Sequence, residues 1–335
     1  MARVLVTGAT GFVGYHLIQA LAARGDEITC LVRKTSKIEH LAPWKTAQAL
    51  GDVTVESGLG EAVADKDIVF HVAGCTTALS RGELFRVNEQ GARNIARACA
   101  QQPNPPVLVV VSSLAAAGPS SLDRPKIEED EPQPVSNYGK SKRAGELAAT
   151  EFADKVPISV IRPPIVFGER DIQVAEMFRA IRRMRAHVVP GWKRRRFSLI
   201  HAEDLATAML LAAEKGKRLS KDNPSQGIYF VAGDEQPSYG ELGRLIGRQI
   251  SRPKCWIVPI PMPLVWCFGL VNETLGRIRR KPFFLNVDKI REAAAGSWTC
   301  STRRAQDELG FRVTASLDER LKQTAQWYFR EGWIR

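Results

Sequence analysis

The sequence predicts an α/β fold: a doubly wound parallel sheet joined to a smaller, discontinuous C-terminal lobe. Three observations predict it. Short strands at Val4–Thr7, Ile28–Val32, Ile68–Val72, Val107–Val111 and Ile158–Ile161 are largely apolar throughout instead of alternating with polar residues. Such strands fit a sheet covered on both faces. Helical patterns fill the gaps between them, at Phe12–Arg24, Glu83–Ala100 and Tyr138–Phe152, which is the alternation that builds a parallel sheet. Closely spaced glycines then separate the first strand from the first helix.

The 335 residues suffice for a large core or two lobes, and 44% hydrophobic with 25% charged residues is an ordinary globular balance. The net charge of +12 fits a nucleic acid, an anionic membrane, an anionic cofactor or a plainly solvated basic surface. None of the six cysteines forms a CxxC pair, and no His/Cys cluster has metal-ligand spacing. Reduced thiols in a cytoplasmic protein and no metal are therefore expected. The chain starts directly on a strand, with no targeting segment apparent. The most apolar stretch, Cys255 to Val271, is interrupted by Pro259, Pro261 and Pro263, so no membrane-spanning segment is expected.

The first loop reads Thr7-Gly8-Ala9-Thr10-Gly11-Phe12-Val13-Gly14. Without Cβ atoms the chain turns tightly and its backbone approaches a pyrophosphate, which the following helix N-terminus meets with unpaired N–H groups. A glycine triplet alone is weak evidence, but here the preceding strand and the following helix are both present. At the end of the second strand, enzymes that use NAD usually carry an acid for the ribose hydroxyls. This chain has Val32-Arg33-Lys34 instead, two cations suited to a 2′-phosphate, which favours NADP(H) over NAD(H).

Further along, Tyr138 and Lys142 are four residues apart on one helix face. A tyrosine is a poor acid–base group at neutral pH unless a nearby ammonium favours its phenolate. Lys142 is placed to supply that charge and to bond the nicotinamide ribose, leaving Tyr138 to exchange a proton with a substrate oxygen. The strand Val107–Val111 ends in Ser112-Ser113, where a doubly wound sheet opens its crevice. Ser113 suits the orientation of a substrate carbonyl, and Ser112 reads as a strand-end hydroxyl.

The second half is less regular. Helices are expected at Arg170–Arg185, Ala202–Glu214 and Ser238–Ile250, and strands at Phe197–Ile200 and Gly227–Ala232. The basic run Lys193–Arg196 reads as a loop or helix end. The expected partition is a cofactor lobe of residues 1–168 and 198–234 and a substrate lobe of residues 169–197 and 235–335.

With these pieces in hand, the chain resembles the extended short-chain dehydrogenase/reductases, which have a Rossmann-type fold. The matching segments are Thr7–Gly14, His71–Gly74, Val87–Gly91, Ser112-Ser113, Tyr138–Lys142, Arg162–Gly168 and His201–Ala206, in the family's order. The resemblance implies a catalytic set of Ser113, Tyr138 and Lys142. Together with the readings of the first loop and of the second strand's end, it gives cofactor contacts from Gly8, Thr10, Gly11, Phe12, Val13, Gly14, Arg33, Lys34, Asp52, Val53, Val72, Ala73, Gly74, Asn88, Val111, Ser112, Pro163 and Val166, besides Tyr138 and Lys142; the resemblance itself implies those of Asp52, Val72 to Gly74, Asn88 and Pro163 to Val166. A homodimer through the helices at 83–100 and 138–152 is a further implication.

The tail, with Leu309-Gly310-Phe311 and Trp327-Tyr328-Phe329, is similar to the ends of 3β-hydroxysteroid dehydrogenases and dihydroflavonol reductases. Leu114–Ala117 stands where dehydratases of the family carry an acidic pair. Arg196 is one residue out of register with the arginine that holds a nucleotide-sugar diphosphate.

Three functions are weighed. The first is a reductase or dehydrogenase acting on a ketone or alcohol of an apolar, sterol-, isoprenoid- or flavonoid-like molecule, walled by Trp256, Trp266, Phe268, Phe283 and Phe284. The second is a nucleotide-sugar epimerase or reductase. The third is a non-catalytic NADP(H)-sensing or RNA-binding descendant. Exposed aromatics are not interleaved with the Lys193–Arg196 run, so no nucleic-acid partner is expected. The segment Cys255–Val271 and its following Arg277–Lys281 cluster read as an ordinary core helix or as a contact with an anionic membrane surface.

Overall fold

A computed structural model describes residues 1–283 and 285–334. Its first half runs β1 (Arg3–Thr7), α1 (Phe12–Ala23), β2 (Glu27–Val32), β3 (Ala47–Leu50), α2 (Leu59–Val63), β4 (Ile68–His71), α3 (Arg81–Phe85), α4 (Gly91–Ala100), β5 (Val107–Val111), α5 (Leu114–Ala117), α6 (Asn137–Thr150) and β6 (Ile158–Arg162). The second half runs β7 (Ile165–Phe167), α7 (Ile172–Met184), β8 (Ala186–Pro190), β9 (Leu199–His201), α8 (Ala202–Lys215), β10 (Ile228–Phe230), α9 (Tyr239–Gln249), β11 (Trp256–Ile260), α10 (Met262–Ile278), α11 (Val287–Ala295) and α12 (Leu317–Arg330).

Seven parallel strands form the central sheet in the order β10-β6-β5-β4-β1-β2-β3. The order reverses between β1 and β4, so the crevice for a ligand opens beyond their C-terminal ends. Strands β1, β5 and β6 are buried along nearly their whole length, because helices cover both faces. On one face α1 and α8 pack over Val4, Val6, Val109 and Ile161; on the other α4 packs over Leu5, Val69, Leu108 and Val160. The predicted helix at 83–100 is helical from Arg81 to Ala100, with a π-helical turn at Arg86–Gln90 joining α3 to α4.

Four strands are absent from the sequence reading. β3 is an exposed edge strand of Ala, Gln, Ala and Leu, with too little apolar character to stand out. β7 pairs with β9, and β8 with β11, in two small parallel sheets beside the main one. The prolines at 259 and 261 end a strand and precede a helix, and Pro263 lies in the first turn of α10, where a missing N–H does no harm. The apolar stretch is therefore a strand and a 17-residue helix. Among the described residues, no helix is long and apolar enough to cross a membrane.

Candidate active site

A large cleft of about 1470 Å³ runs from the ends of β1 and β2, past the ends of β4 and β5, to α7, β8 and α10. At its first end, Gly8 takes a φ of +73°. A Cβ there would come within 2.6 Å of the Ala73 nitrogen, and one at Gly14 within 2.1 Å of the Gly8 carbonyl oxygen. Only glycines allow this turn to lie so close to the β4 end. Gly11 caps α1 without a side-chain hydrogen bond, and the first turn of α1 has no acid. The positive end of the helix thus faces the cleft uncompensated, as a pyrophosphate requires. The residues present fit a dinucleotide.

Gly8, Thr10, Gly11, Phe12, Val13, Gly14, Arg33, Asp52, Val53, Val72, Ala73, Gly74, Val111, Ser112, Ser113, Tyr138, Lys142, Pro163 and Val166 all line this cleft. Lys34 and Asn88 do not. Past the end of β2, the Arg33 N–H bonds Ser36 Oγ and Lys34 is exposed and off the wall, and Arg86, from the π-helical turn, is the cation that joins Arg33 beside Asp52. Asn88 is buried behind the wall. Its amide accepts from the Cys75 N–H at 2.8 Å and donates to the Cys75 carbonyl and to Ser141 Oγ, which fixes the loop after β4. Burial opposes the charge of Asp52, yet hydrogen bonds from Thr54 and the nearby Arg33 and Arg86 hold its carboxyl below the usual range.

At the middle of the cleft, α6 starts under three acceptors. Ser136 caps it by accepting the Gly139 N–H, and Asp288 of α11 accepts the N–H groups of Asn137 at 2.7 Å and Tyr138 at 3.0 Å. Gly139 packs on the Ala115 carbonyl, where a Cβ would come within 2.4 Å. Ser113 caps α5, accepting the Ala115 N–H at 3.1 Å, and its hydroxyl lies close enough to the Tyr138 phenol to favour the phenolate. Burial pushes that phenol above its ordinary value; Lys289 and Ser113 pull it back.

The cation acting on Tyr138 is therefore Lys289 of α11, with Nζ 4.7 Å from the ring centroid, where the sequence pointed to Lys142. Lys142 lies deeper and donates to the Val111 carbonyl at 2.6 Å. Burial lowers its ammonium to about 8, against the pull of Glu146. Lys289 itself pairs with Glu292 at 2.8 Å, and Ser136 Oγ donates to the same carboxylate at 2.6 Å. No local motif marks Lys289; only the folding of α11 onto α6 brings it here.

Ser112 donates to Glu146 at 2.6 Å, and Glu146 takes a bidentate, fully buried pair of bonds from Arg162 at 2.8 and 2.7 Å. The hydroxyl beside Ser113 thus serves the frame, as a strand-end hydroxyl should. Outside the cleft, His16, Glu169 and Glu203 offer ligand atoms within 4.8 Å of one another, a cluster that sequence spacing did not reveal. Glu203 is engaged by Arg320 and Gln323, and Glu169 Oε2 lies 3.2 Å from His201 Nε2.

Beyond Tyr138 the walls are mostly apolar, with Met177, Met184, Val188, Ile260, Val265 and Leu285 among them, and Arg170, Asp171, Gln173 and His187 the polar exceptions on that side. Of the aromatic residues expected here only Phe268 lines the cleft. Trp256 is 75% exposed on β11, Trp266 and Phe283 lie off the wall, and Phe284 lies outside the described residues. Among the described residues no member of the Lys193–Arg196 run lines the cleft. Arg194 pairs with Glu241, Arg195 bonds the carbonyls of Pro190 and Ala294, and Arg196 sits in a backbone bridge to Ser238.

A glycine loop at the switch point of a parallel sheet, opening on a cleft with a half-buried tyrosine and a buried lysine, defines an NAD(P)-dependent oxidoreductase. The chain belongs to the NAD dependent epimerase/dehydratase family, whose model matches residues 4–229. Among its curated relatives is a ceramide reductase of Caulobacter vibrioides, 27% identical over 99% of this chain and 96% of the relative. Another is a decarboxylating sterol-4-alpha-carboxylate 3-dehydrogenase of Dictyostelium discoideum, 27% identical over 93% of this chain and 96% of the relative. A UDP-glucose 4-epimerase of Vibrio cholerae is 23% identical over 98% and 95%. The fold is shared with the dTDP-glucose 4,6-dehydratase DesIV of Streptomyces venezuelae, solved with NAD bound, at a TM-score of 0.78, 18% identity and 99% coverage of both chains.

Proposed function

We propose that the enzyme interconverts a ketone and a secondary alcohol on a mostly apolar, sterol-, isoprenoid- or flavonoid-like substrate, with NADP(H) as its cofactor. The observation that carries this reading is the polarity of the cleft beyond Tyr138. Its walls are mostly aliphatic, thioether and aromatic side chains, with Arg170, Asp171, Gln173 and His187 among the few polar ones, and no residue of the run Lys193–Arg196 lines it. Apolar area buried against a ligand contributes about 25 cal/mol per Å². A nucleotide diphosphate would instead need several placed cations. The ceramide reductase and the sterol dehydrogenase among the relatives point the same way.

When bound, the nicotinamide supplies or accepts the hydride. Tyr138 donates its phenolic proton to the substrate oxygen on reduction and takes a proton back on oxidation. Ser113 donates a hydrogen bond to that same oxygen, which aligns the carbonyl. Lys142 bonds the nicotinamide ribose and, once its ammonium turns from the Val111 carbonyl, adds positive field to the phenol. The cofactor lobe comprises residues 1–168 and 198–234, and the substrate lobe residues 169–197 and 235–335.

NADP(H) is chosen over NAD(H) because Arg33 and Arg86 flank Asp52 at the adenine end. Six free cysteines support a reducing, cytoplasmic setting. The helical face at 81–100 and 137–150 is the proposed contact of a homodimer. The epimerase relative keeps nucleotide sugars as the second reading. A panel of apolar ketones against UDP-, GDP- and dTDP-linked sugars, each with NADPH, separates the two. Turnover and thermal stabilisation are expected only with the ketones, and the reverse pattern would replace the first reading by the second.

A further inference from the structure

α10 is built inside out. Its buried positions include Gly269 and Gly276, one heptad apart. Gly269 lies so close to α11 that a Cβ would meet Ile290 Cδ1 at 2.1 Å, and Gly276 sits over the Lys281 carbonyl. The opposite face carries Leu264, Phe268, Val271, Leu275 and Ile278, a stripe at helical spacing that points away from the protein. Phe268 is 58% exposed and Ile278 72%. A helix lying on a core normally buries its large side chains and shows polar ones to water. Here the small residues face the core and the large ones are uncovered, an apolar patch too ordered to be scatter.

The surroundings specify what would cover it. The helix ends in Arg277, Arg279, Arg280 and Lys281, all exposed, and the only acid between Met262 and Leu285 is Glu273, already paired with Arg277. Trp256 projects from β11 just before the helix. Trp192 follows Gly191, whose N–H bonds the Ile260 carbonyl beside the helix start, and is 71% exposed. An apolar stripe with tryptophans at one end and a cation cluster at the other fits the boundary between acyl chains and anionic headgroups. A second copy of the chain fits less well. Parallel pairing of the stripe would set four cations against four, and antiparallel pairing would set them against a helix start that carries no acid.

The cleft reaches the same face. Met184, Val188, Phe268 and Leu285 line it and are also exposed, so its apolar mouth is continuous with the stripe. We propose that α10 docks this protein onto an anionic lipid surface, with the cleft mouth facing the acyl region. Docking stands independently of the function proposed above. The further step, entry of the substrate directly from the bilayer, rests on that reading.

Flotation of the full chain with phosphatidylcholine vesicles, with and without phosphatidylglycerol, tests this. Binding to the anionic vesicles at low salt is expected, with little to the neutral ones. Arg279→Gln with Arg280→Gln should weaken it about thirtyfold, two cations at the surface converted to an affinity ratio. Val271→Glu with Ile278→Glu should abolish it while thermal melting and NADPH binding stay unchanged, since neither residue lines the cleft. No binding to anionic vesicles, or equal binding by both double variants, overturns the proposal. A dimer in light scattering that Val271→Glu with Ile278→Glu splits, without vesicle binding, overturns it in favour of a second copy. Ketone turnover without vesicle binding sinks the docking and spares the functional reading. Vesicle binding without ketone turnover spares the docking and sinks both that reading and entry from the bilayer.

Discussion

Arg33→Ala should separate the two forms of the cofactor. Arg33 lies where β2 ends, with Ser36 beside it and Arg86 also on the cleft wall, and both guanidiniums act on Asp52. A charge-assisted contact to a 2′-phosphate is worth ~1.5–3 kcal/mol, an affinity ratio of roughly ten- to a hundredfold. Arg33 is exposed, so salt screening places the loss near the lower figure at physiological ionic strength and raises it in dilute buffer. Asp52 adds a second effect. With Arg33 gone, its carboxylate is less compensated and repels the incoming phosphate, so Asp52→Asn in the Arg33→Ala background should restore part of the lost affinity. Titration by NADPH and NADH fluorescence at two salt concentrations measures all of this. NADH should bind the wild type more weakly than NADPH and be little changed by Arg33→Ala. Equal loss for both cofactors, or NADH binding at least as tightly in the unmutated protein, would refute the reasoning.

Tyr138→Phe should keep NADPH binding and lower turnover by ~10² or more, because only the proton donor is removed; stopped-flow and titration together check this, and near-normal turnover would sink the proposed chemistry. Lys142→Ala should damage both turnover and cofactor affinity. Glu146→Leu leaves the fully buried Arg162 guanidinium uncompensated and frees Ser112, a loss of ~3–5 kcal/mol that calorimetry should register as a Tm several degrees lower. Burial raises Asp171 to about 6, against the hydrogen bonds it accepts from Gln173 and Val174. A raised carboxyl contributes stability that is fully present below its unfolded value and is lost as pH rises through the folded value. Asp171→Asn keeps the helix cap without the charge, so its Tm advantage over the wild type should grow between about pH 4 and 7; parallel melting curves across that range would contradict this.

The cofactor half of the molecule was largely legible in the sequence because its signals are local. Val4–Thr7, Ile28–Val32 and Val107–Val111 are apolar runs that a two-sided sheet demands, and the glycines of Thr7–Gly14 answer a steric requirement within a few residues. Tyr138 and Lys142 fall on one helix as their spacing predicts, with Lys142 turned to the Val111 carbonyl. What was not legible depends on distant contacts. Lys289 faces Tyr138 only because Asp288 reaches the start of α6. Lys34 looked equivalent to Arg33, but the turn after β2 sends the two side chains apart. Asn88 sits in a shared motif yet works behind the wall, holding Cys75. The aromatic residues from Trp256 onward looked like a pocket lining; β11 instead turns Trp256 outward, and β11 and α10 bring Ile260, Val265 and Phe268 to the cleft.

Asp288, Lys289 and Glu292 occupy a single turn of α11, and together they hold the backbone of the tyrosine helix, the face of its ring and its capping serine. The acidity of the Tyr138 phenol is thereby made hostage to a segment about 150 positions later in the chain. The strands of the main sheet and the glycine loop, the means to grip a dinucleotide, all lie before residue 234. The cation over the tyrosine ring and the carboxylate over its amide come from beyond it. Grip and reactivity are thus drawn from different stretches of the chain, and α11 is the clasp that joins them.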